Sequence, residues 1–159
     1  LPESSVILKW PNDLLVRNRK MAGIILEAMP PVSGQVDGLI LGVGVNISHC
    51  PADNQVRLPA ACLTAERGES IETLSVLEKF IQAFNKYLYV WRSEGFAPIL
   101  QQWQMRTYPH GTRVSVGQSS KGRFVGLSEK GELLLELDDG KRQSLTAGDA
   151  YFYAASGEA

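Results

Sequence analysis

The sequence predicts an α+β fold in which part of a β-sheet packs against helices and a small β-barrel follows. The first half of the chain contains β-branched apolar runs and then one long amphipathic stripe, which are typical of buried strands followed by a helix. Near the end of the chain, apolar residues alternate at every second position in short stretches between turns. Several short strands of this kind indicate a small barrel.

The first strands form a compact hairpin region. The first strand ends at Pro11, because proline has no N–H to donate to a neighbouring strand. The next two strands are separated by a charged turn centred on Asn18, and a longer apolar run is predicted to lie in the centre of the sheet. The predicted strands are residues 6–10, 14–16, 20–27 and 36–47.

Two helices are predicted between the sheet and the barrel. The first has Ser70 as its N-cap and ends at Gly95, and the second covers residues 96–106 with Pro98 in its first turn. Apolar residues recur along the first helix at steps of three and four, so we expect this stripe to lie in the core. The stripe consists of Leu74, Leu77, Ile81, Phe84, Leu88 and Trp91.

A linker over residues 107–111 is predicted to separate two domains, residues 1–108 and residues 109–159. The second domain has five short strands with turns between them.

The amino-acid composition argues against several classes of function for this protein. Sixteen basic and seventeen acidic side chains give a net charge of −1 without a concentrated basic face, which argues against nucleic acid as a partner. Two cysteines are too few for a disulfide framework and lack zinc-binding spacing. No apolar run is long enough to cross a bilayer, so a membrane partner is not expected and a cytoplasmic location is predicted. His49 and His110 stand alone in loops, which argues against a nucleophilic dyad.

Polar residues and one glycine concentrate in the hairpin. Lys9, Asn12, Asp13, Lys20 and Gly23 lie among apolar neighbours, and a glycine inside a strand indicates close approach of a ligand or another backbone. These residues together would suit the binding of an anion. The alternatives are an ordinary Pro-Asn-Asp turn and a lysine that points to water.

Three motifs carry a resemblance to a known family. K-W-P-N-D stands at 9–13, R-K-x-x-G followed by apolar residues at 19–26, and G-x-G-x-N at 42–46. With the terminal barrel, they make the chain resemble the second half of a biotin protein ligase catalytic domain and its C-terminal domain. The resemblance implies a mixed β-sheet of the class II synthetase and biotin-lipoate ligase type, followed by an SH3-like barrel.

The implied activity is ATP-dependent activation of biotin to biotinyl-5'-AMP and transfer to a lysine of a biotin carboxyl carrier protein, a subunit of acetyl-CoA carboxylase. ATP with Mg²⁺ and biotin would be substrates, and no resident metal is expected. The resemblance leaves a homodimer open.

The same resemblance assigns roles to individual residues. Lys20 would be catalytic, and Lys20 with Gly23 would bind biotin and biotinyl-AMP. The nucleotide-binding residues would be Asn12, Asp13, Gly42, Gly44 and Asn46. Two structural alternatives stay open: Asn12 and Asp13 as a turn that bonds only itself, and Asn46 as a cap at the end of a strand.

The chain also departs from the family pattern. The glycine-arginine-rich loop G-R-G-R-x-x-R and the biotin-gripping strands, which precede K-W-P-N-D in the family, do not occur in these 159 residues. We therefore expect a C-terminal fragment that is inactive without its N-terminal half. Tyr153 stands where some members have a nucleotide-contacting arginine. The alternative functions are a non-catalytic nucleotide- or carrier-binding remnant and a relative of lipoate-protein ligases.

Overall fold

The computed structural model describes residues 5–30, 38–52, 56, 58–117 and 119–153. They divide into two compact units that are interleaved along the sequence. The first unit comprises the residues up to Val6 together with Asn12–Ile71, and the second comprises Ile7–Pro11 and the residues from Glu72 onwards. Each unit contains a sheet and helix, so the predicted α+β class is confirmed.

The first strand, β1 (Val6–Lys9), begins at the last residue of a segment of the first unit and continues in the second unit. The strands that lie wholly in the first unit are β2 (Asp13–Val16), β3 (Arg19–Ala28) and β4 (Leu39–Val45), in the order β2-β3-β4. The pairs β2-β3 and β3-β4 are antiparallel. Arg17 and Asn18 form the turn between β2 and β3 with φ values of 50° and 61°, the left-handed conformation that a tight two-residue hairpin turn requires. Residues 36 and 37 of the predicted fourth strand lie outside the described residues.

A short helix, α1 (Leu63–Arg67), follows the sheet and ends at Gly68, whose φ of 70° suits a left-handed cap. The sequence patterns did not predict it, because five residues are too few to display a helical period. Beside it lies a small core of Val16, Met21 and Ala61, against which Val6, Leu14 and Leu63 pack.

One apolar region of the sheet is uncovered within the described residues. Side chains of β3 and β4 are exposed although they are large and apolar. They include Ile25 and Leu26, each 61% exposed, and Leu39 and Ile40, each 55% exposed.

The second unit contains α2 (Thr73–Glu94) and α3 (Ala97–Gln104), with Gly95 between them at a φ of 81°. The predicted cap at Ser70 is wrong, because the helix begins after Glu72 and has no side-chain cap. The expectation that the apolar stripe of α2 is core is also wrong for the described residues. Leu74 is 67% exposed and Trp91 is 53% exposed.

The five predicted strands of the barrel are all present. They are β5 (Arg113–Val116), β6 (Ser120–Leu127), β7 (Leu133–Leu137), β8 (Arg142–Leu145) and β9 (Ala150–Phe152), in the order β8-β7-β6-β5-β9. Their inward residues, Val114, Val116, Phe124, Leu133, Leu135 and Ala150, form one core with Trp10. The indole N–H of Trp10 donates to the Gly131 carbonyl over 3.1 Å. No helix among the described residues is both long and apolar enough to span a membrane.

Candidate functional site

The main chain at Lys20 is held by a segment that is distant in the sequence. The Lys20 N–H donates to the Pro59 carbonyl over 2.7 Å, and the Ala61 N–H donates to the Lys20 carbonyl over 2.9 Å. These two bonds form a parallel bridge between Lys20 and Ala60. The backbone of the predicted catalytic lysine is therefore fixed on the side that faces away from β2.

The Lys20 side chain pairs with Asp13. Nζ of Lys20 lies 2.5 Å from Oδ1 of Asp13, and the lysine side chain is 42% exposed whereas the aspartate side chain is 9% exposed. The register of β2 against β3 shifts between Leu14 and Leu15. Such a bulge changes the direction of side chains on the longer strand, and here it accompanies the approach of Lys20 to a carboxylate at the start of β2.

Gly23 provides the space for this ion pair. A Cβ atom built on Gly23 would lie 3.1 Å from Nζ and 3.2 Å from Cε of Lys20, and 3.5 Å from Oδ1 of Asp13. Any side chain at this position would therefore crowd the ammonium. Because Gly23 has no side chain, the Lys20 side chain can lie across the strand. This contact explains why a glycine stands inside β3.

The glycines of β4 continue this bare surface. Asp13 is paired with Gly23, Gly23 with Gly44, and Ile25 with Gly42. Because residues two apart share a face of a strand, Gly42 and Gly44 lie on the same face as Gly23. A Cβ on Gly44 would have its nearest neighbour among the described residues at 4.0 Å, so that part of the chain leaves the space above the glycine open.

Both asparagines make hydrogen bonds within the protein. The Asn12 side-chain amide donates to the Ile24 carbonyl over 2.6 Å. The Asn46 amide donates to the Lys20 carbonyl over 3.2 Å, and the Asn46 N–H donates to the Met21 carbonyl over 2.8 Å. Asn46 therefore caps the end of β4 and supports Lys20, whereas contact of either asparagine with a nucleotide stays a prediction.

Of the six predicted site residues besides Lys20, the structure brings Asp13, Gly23 and Asn46 into contact with Lys20. The other three adjoin β3 farther along, since Asn12 bonds Ile24, Gly44 is paired with Gly23 and Gly42 with Ile25. Lys9 belongs to the second unit, where it is buried. Sequence patterns missed the contribution of residues 59–61. Besides holding Lys20, this segment accepts a hydrogen bond from Arg19 Nε at the Ala60 carbonyl over 2.9 Å. A short apolar stretch carries no local signal for such a contact.

The arrangement can recognise an anion. A partly exposed ammonium lies beside the backbone of Gly23, which is paired with Gly44, and at these glycines a carboxylate or phosphate oxygen could approach the main chain closely. The described residues contain no group of three or more His, Cys, Asp or Glu side chains suited to a metal ion. Asp13 alone offers a single carboxylate, which is too little to hold Mg²⁺ by itself.

Two family models together account for most of the chain. Residues 1–105 match the Biotin/lipoate A/B protein ligase family, and residues 111–153 match the Biotin protein ligase C terminal domain. The chain therefore belongs to the biotin/lipoate A/B protein ligase family. The second match is to the C-terminal domain of biotin protein ligases, and together the two matches confirm the resemblance read from the sequence motifs.

Individual relatives agree with this assignment. The chain is 30% identical over 157 residues to the biotin--[acetyl-CoA-carboxylase] ligase of Paracoccus denitrificans, covering 95% of this chain and 65% of that protein. It is 29% identical over 145 residues to the bifunctional ligase/repressor BirA of Bacillus subtilis, covering 88% of this chain and 44% of the relative. The chain thus spans about half the length of such relatives.

A solved structure shares the fold. The biotin protein ligase of Aquifex aeolicus superposes with a TM-score of 0.80 at 25% identity, over 95% of this chain and 67% of that chain. The apo form of the same protein gives a TM-score of 0.78.

Proposed function

We propose that this chain provides the C-terminal part of the catalytic domain and the terminal barrel of a biotin protein ligase. The observation that carries the proposal is the Lys20 ammonium beside the bare backbone of Gly23, in a chain that belongs to this family. The family matches, which end at residue 105 and resume at residue 111, also support a domain boundary between residues 108 and 109.

In the proposed first step, a carboxylate oxygen of biotin attacks the α-phosphorus of ATP and pyrophosphate leaves. Negative charge increases on the oxygens around the α-phosphate as the new bond forms. A fixed cation at that place stabilises the transition state more than the separated substrates, because the charge is concentrated there only during the reaction. Lys20 supplies this cation, and it acts by electrostatic stabilisation rather than as a nucleophile.

In the second step, the amine of a carrier lysine attacks the carbonyl carbon of biotinyl-AMP and AMP leaves. The same ammonium can stabilise the oxyanion of the tetrahedral intermediate and the departing phosphate. The similarity to the Paracoccus denitrificans biotin--[acetyl-CoA-carboxylase] ligase supports biotin and a carboxylase carrier domain as the substrates.

The nucleotide is assigned to the side of the site formed by Asn12, Asp13, Gly42, Gly44 and Asn46. The space above Gly44 supports close approach of a flat adenine or ribose to the strand. Gly23 is assigned to biotin and biotinyl-AMP because it adjoins the Lys20 ammonium. Mg²⁺ enters as part of the MgATP substrate. A cytoplasmic location stays a prediction.

The activity is proposed for the whole ligase, in which this chain is combined with the residues that grip biotin in the family. The exposed apolar side chains of β3, β4 and α2 support this view, because a stable protein rarely leaves so much apolar surface open to water. We expect the 159-residue chain on its own to associate or to show low solubility and to be inactive.

The test is an adenylation and transfer assay on the gene product that carries this chain, with biotin, MgATP and a biotin carboxyl carrier domain. We expect pyrophosphate release and biotin incorporation. Lys20→Ala should lower adenylate formation by about a hundredfold or more while the circular dichroism spectrum stays unchanged. Lys141→Ala is the matched control, because Lys141 is also paired with an aspartate, Asp139, at 2.8 Å but lies on the barrel.

Other outcomes of this assay separate the alternatives. Incorporation of lipoate instead of biotin would identify a lipoate-protein ligase relative. Binding of ATP or carrier without pyrophosphate release would identify a non-catalytic subunit. Full turnover in Lys20→Ala would remove Lys20 from the mechanism.

A further inference from the structure

We propose that Asp13 is a positioning residue that holds the Lys20 ammonium over Gly23 before substrate binds. This inference rests on the proposed function and deepens it. It gives Asp13 a role that acts through Lys20, in addition to the place on the nucleotide side assigned above.

The burial of the two side chains indicates that Asp13 is the fixed partner of the ion pair and Lys20 the adjustable one. The Asp13 side chain is 9% exposed, whereas that of Lys20 is 42% exposed, and Nζ lies 2.5 Å from Oδ1. A carboxylate that has lost most of its water is stabilised by a nearby cation, and moving that cation away would leave a buried charge less well compensated. The flexible, more exposed ammonium is therefore drawn to the carboxylate.

The backbone around the pair is fixed on both strands. Asp13 lies opposite Gly23 in the register of β2 and β3. Lys20 is hydrogen-bonded through its own N–H and carbonyl to Pro59 and Ala61 at 2.7 and 2.9 Å. Only the four-carbon stem of the lysine is left to adjust, and its Cε and Nζ lie over Gly23. Asp13 thus selects one of the many positions that a lysine side chain can occupy.

The Lys20 ammonium can bind a substrate anion while it remains paired with Asp13. An ammonium group has three N–H donors, so one can bond Asp13 while the others face oxygens of a carboxylate or phosphate. A cation that is already in place needs no reorganisation when charge develops, which is the condition for efficient electrostatic stabilisation. We therefore expect loss of the Asp13 charge to affect the rate of the chemical step more than the binding of MgATP.

The first experiment needs no ligase activity. Hydrogen exchange of lysine ammonium groups is measured by nitrogen-detected NMR on the gene product that carries this chain, with the Lys20 signal identified by its loss in Lys20→Arg. We expect Asp13→Asn to raise the exchange rate of the Lys20 ammonium several-fold. Asp139→Asn is the matched control, which should change the Lys141 signal and leave Lys20 unaltered. An unchanged Lys20 rate in Asp13→Asn would overturn the proposal.

A second variant covers the case in which Asp13→Asn does not fold. Asp13→Glu keeps the charge but moves it by one methylene group, so the Lys20 ammonium should exchange faster than in the wild type yet remain partly protected. Exchange in Asp13→Glu as fast as that of a fully exposed lysine, in a folded protein, would contradict a positioning role of the carboxylate charge.

The second experiment measures adenylate formation by the gene product that carries this chain. We expect Asp13→Asn to lower kcat about tenfold with a smaller change in KM for MgATP, and to lower kcat much less in a Lys20→Ala background. A raised KM for MgATP with an unchanged kcat would show a nucleotide contact alone and overturn the inference. If the wild-type protein forms no adenylate, the proposed function fails, whereas the exchange result still decides the pairing of Asp13 with Lys20.

Discussion

The backbone of Gly23 runs directly beneath the Lys20 ammonium, so that a Cβ on the glycine would lie 3.1 Å from Nζ. This distance is short for a carbon contact, and the lysine would have to move. Because φ of Gly23 is not in the left-handed region, an alanine can adopt its backbone conformation without strain.

We therefore expect Gly23→Ala to lower adenylate formation by about ten- to a hundredfold while it lowers the melting temperature only slightly, through the weakened pairing of Lys20 with Asp13. The activity assay and a thermal scan of the same preparation check this. In a Lys20→Ala background, the glycine substitution should cause no further loss.

Gly122→Ala is the contrasting substitution. A Cβ at Gly122 would overlap the carbonyl oxygen of Glu136 on the neighbouring barrel strand, and a backbone atom cannot yield as a lysine tip can. We expect the free energy of unfolding to fall by about 1 to 3 kcal/mol, measured by urea titration. Equal stability of Gly23→Ala and Gly122→Ala would contradict this distinction.

Trp10, the tryptophan of the K-W-P-N-D motif, is predicted to stabilise the fold. Trp10 is 4% exposed in the core of the second unit, and its indole N–H donates to Gly131. Trp10→Phe removes this hydrogen bond and part of the core volume, so we expect a loss of about 1 to 3 kcal/mol in urea unfolding. Trp91→Phe, at a site that is 53% exposed, is the control and should change stability much less.

The side chain of Tyr153 makes a hydrogen bond to the barrel. Its hydroxyl lies 2.8 Å from the Oγ of Ser115, a residue that is 7% exposed. Tyr153→Phe should destabilise the barrel by about 1 kcal/mol, because the buried serine hydroxyl loses a partner. Tyr151→Phe, two residues earlier on β9, is the control, since the described residues give the Tyr151 hydroxyl no hydrogen bond. A melting temperature equal to that of the control would contradict this prediction.

The barrel should also respond to acid through Glu132. Hydrogen bonds from Ser144 and then Ser128 hold the pKa of Glu132 below its ordinary value of 4.5, against the opposing effect of burial. Since the folded-state pKa is lowered, this contribution to stability is present above about pH 4.5 and is lost as the pH falls through the folded-state pKa. We expect the difference in melting temperature between the wild type and Glu132→Gln to shrink below that pH. A constant difference from pH 7 to pH 3 would refute it.

The sequence predicted the parts of the fold that depend on local pattern. The hairpin between β2 and β3, the glycine that ends α2 and the barrel strands all follow from residue type and short periods. It could not predict what covers the stripe of α2, because amphipathicity identifies an apolar face and not its partner. The helix start also differed, since a capping preference is worth only about 1 kcal/mol and other contacts can outweigh it.

For the site, the motifs identified Lys20 and Gly23, but the pairing with Asp13 could not be derived from spacing. It accompanies a register shift between Leu14 and Leu15, which depends on how two strands fit together. Hydrogen bonds join residues 59–61 to Lys20, about forty residues away in the sequence. No local sequence pattern indicates a contact between such distant residues.

The hydrogen bond between Trp10 and Gly131 also constrains biosynthesis. The two residues are 121 positions apart, so a nascent chain carries the indole without its final partner until most of this stretch has been translated. Contacts of such long range slow folding and leave apolar surface exposed meanwhile. The core of the barrel therefore depends on a side chain that leaves the ribosome long before the barrel strands are translated.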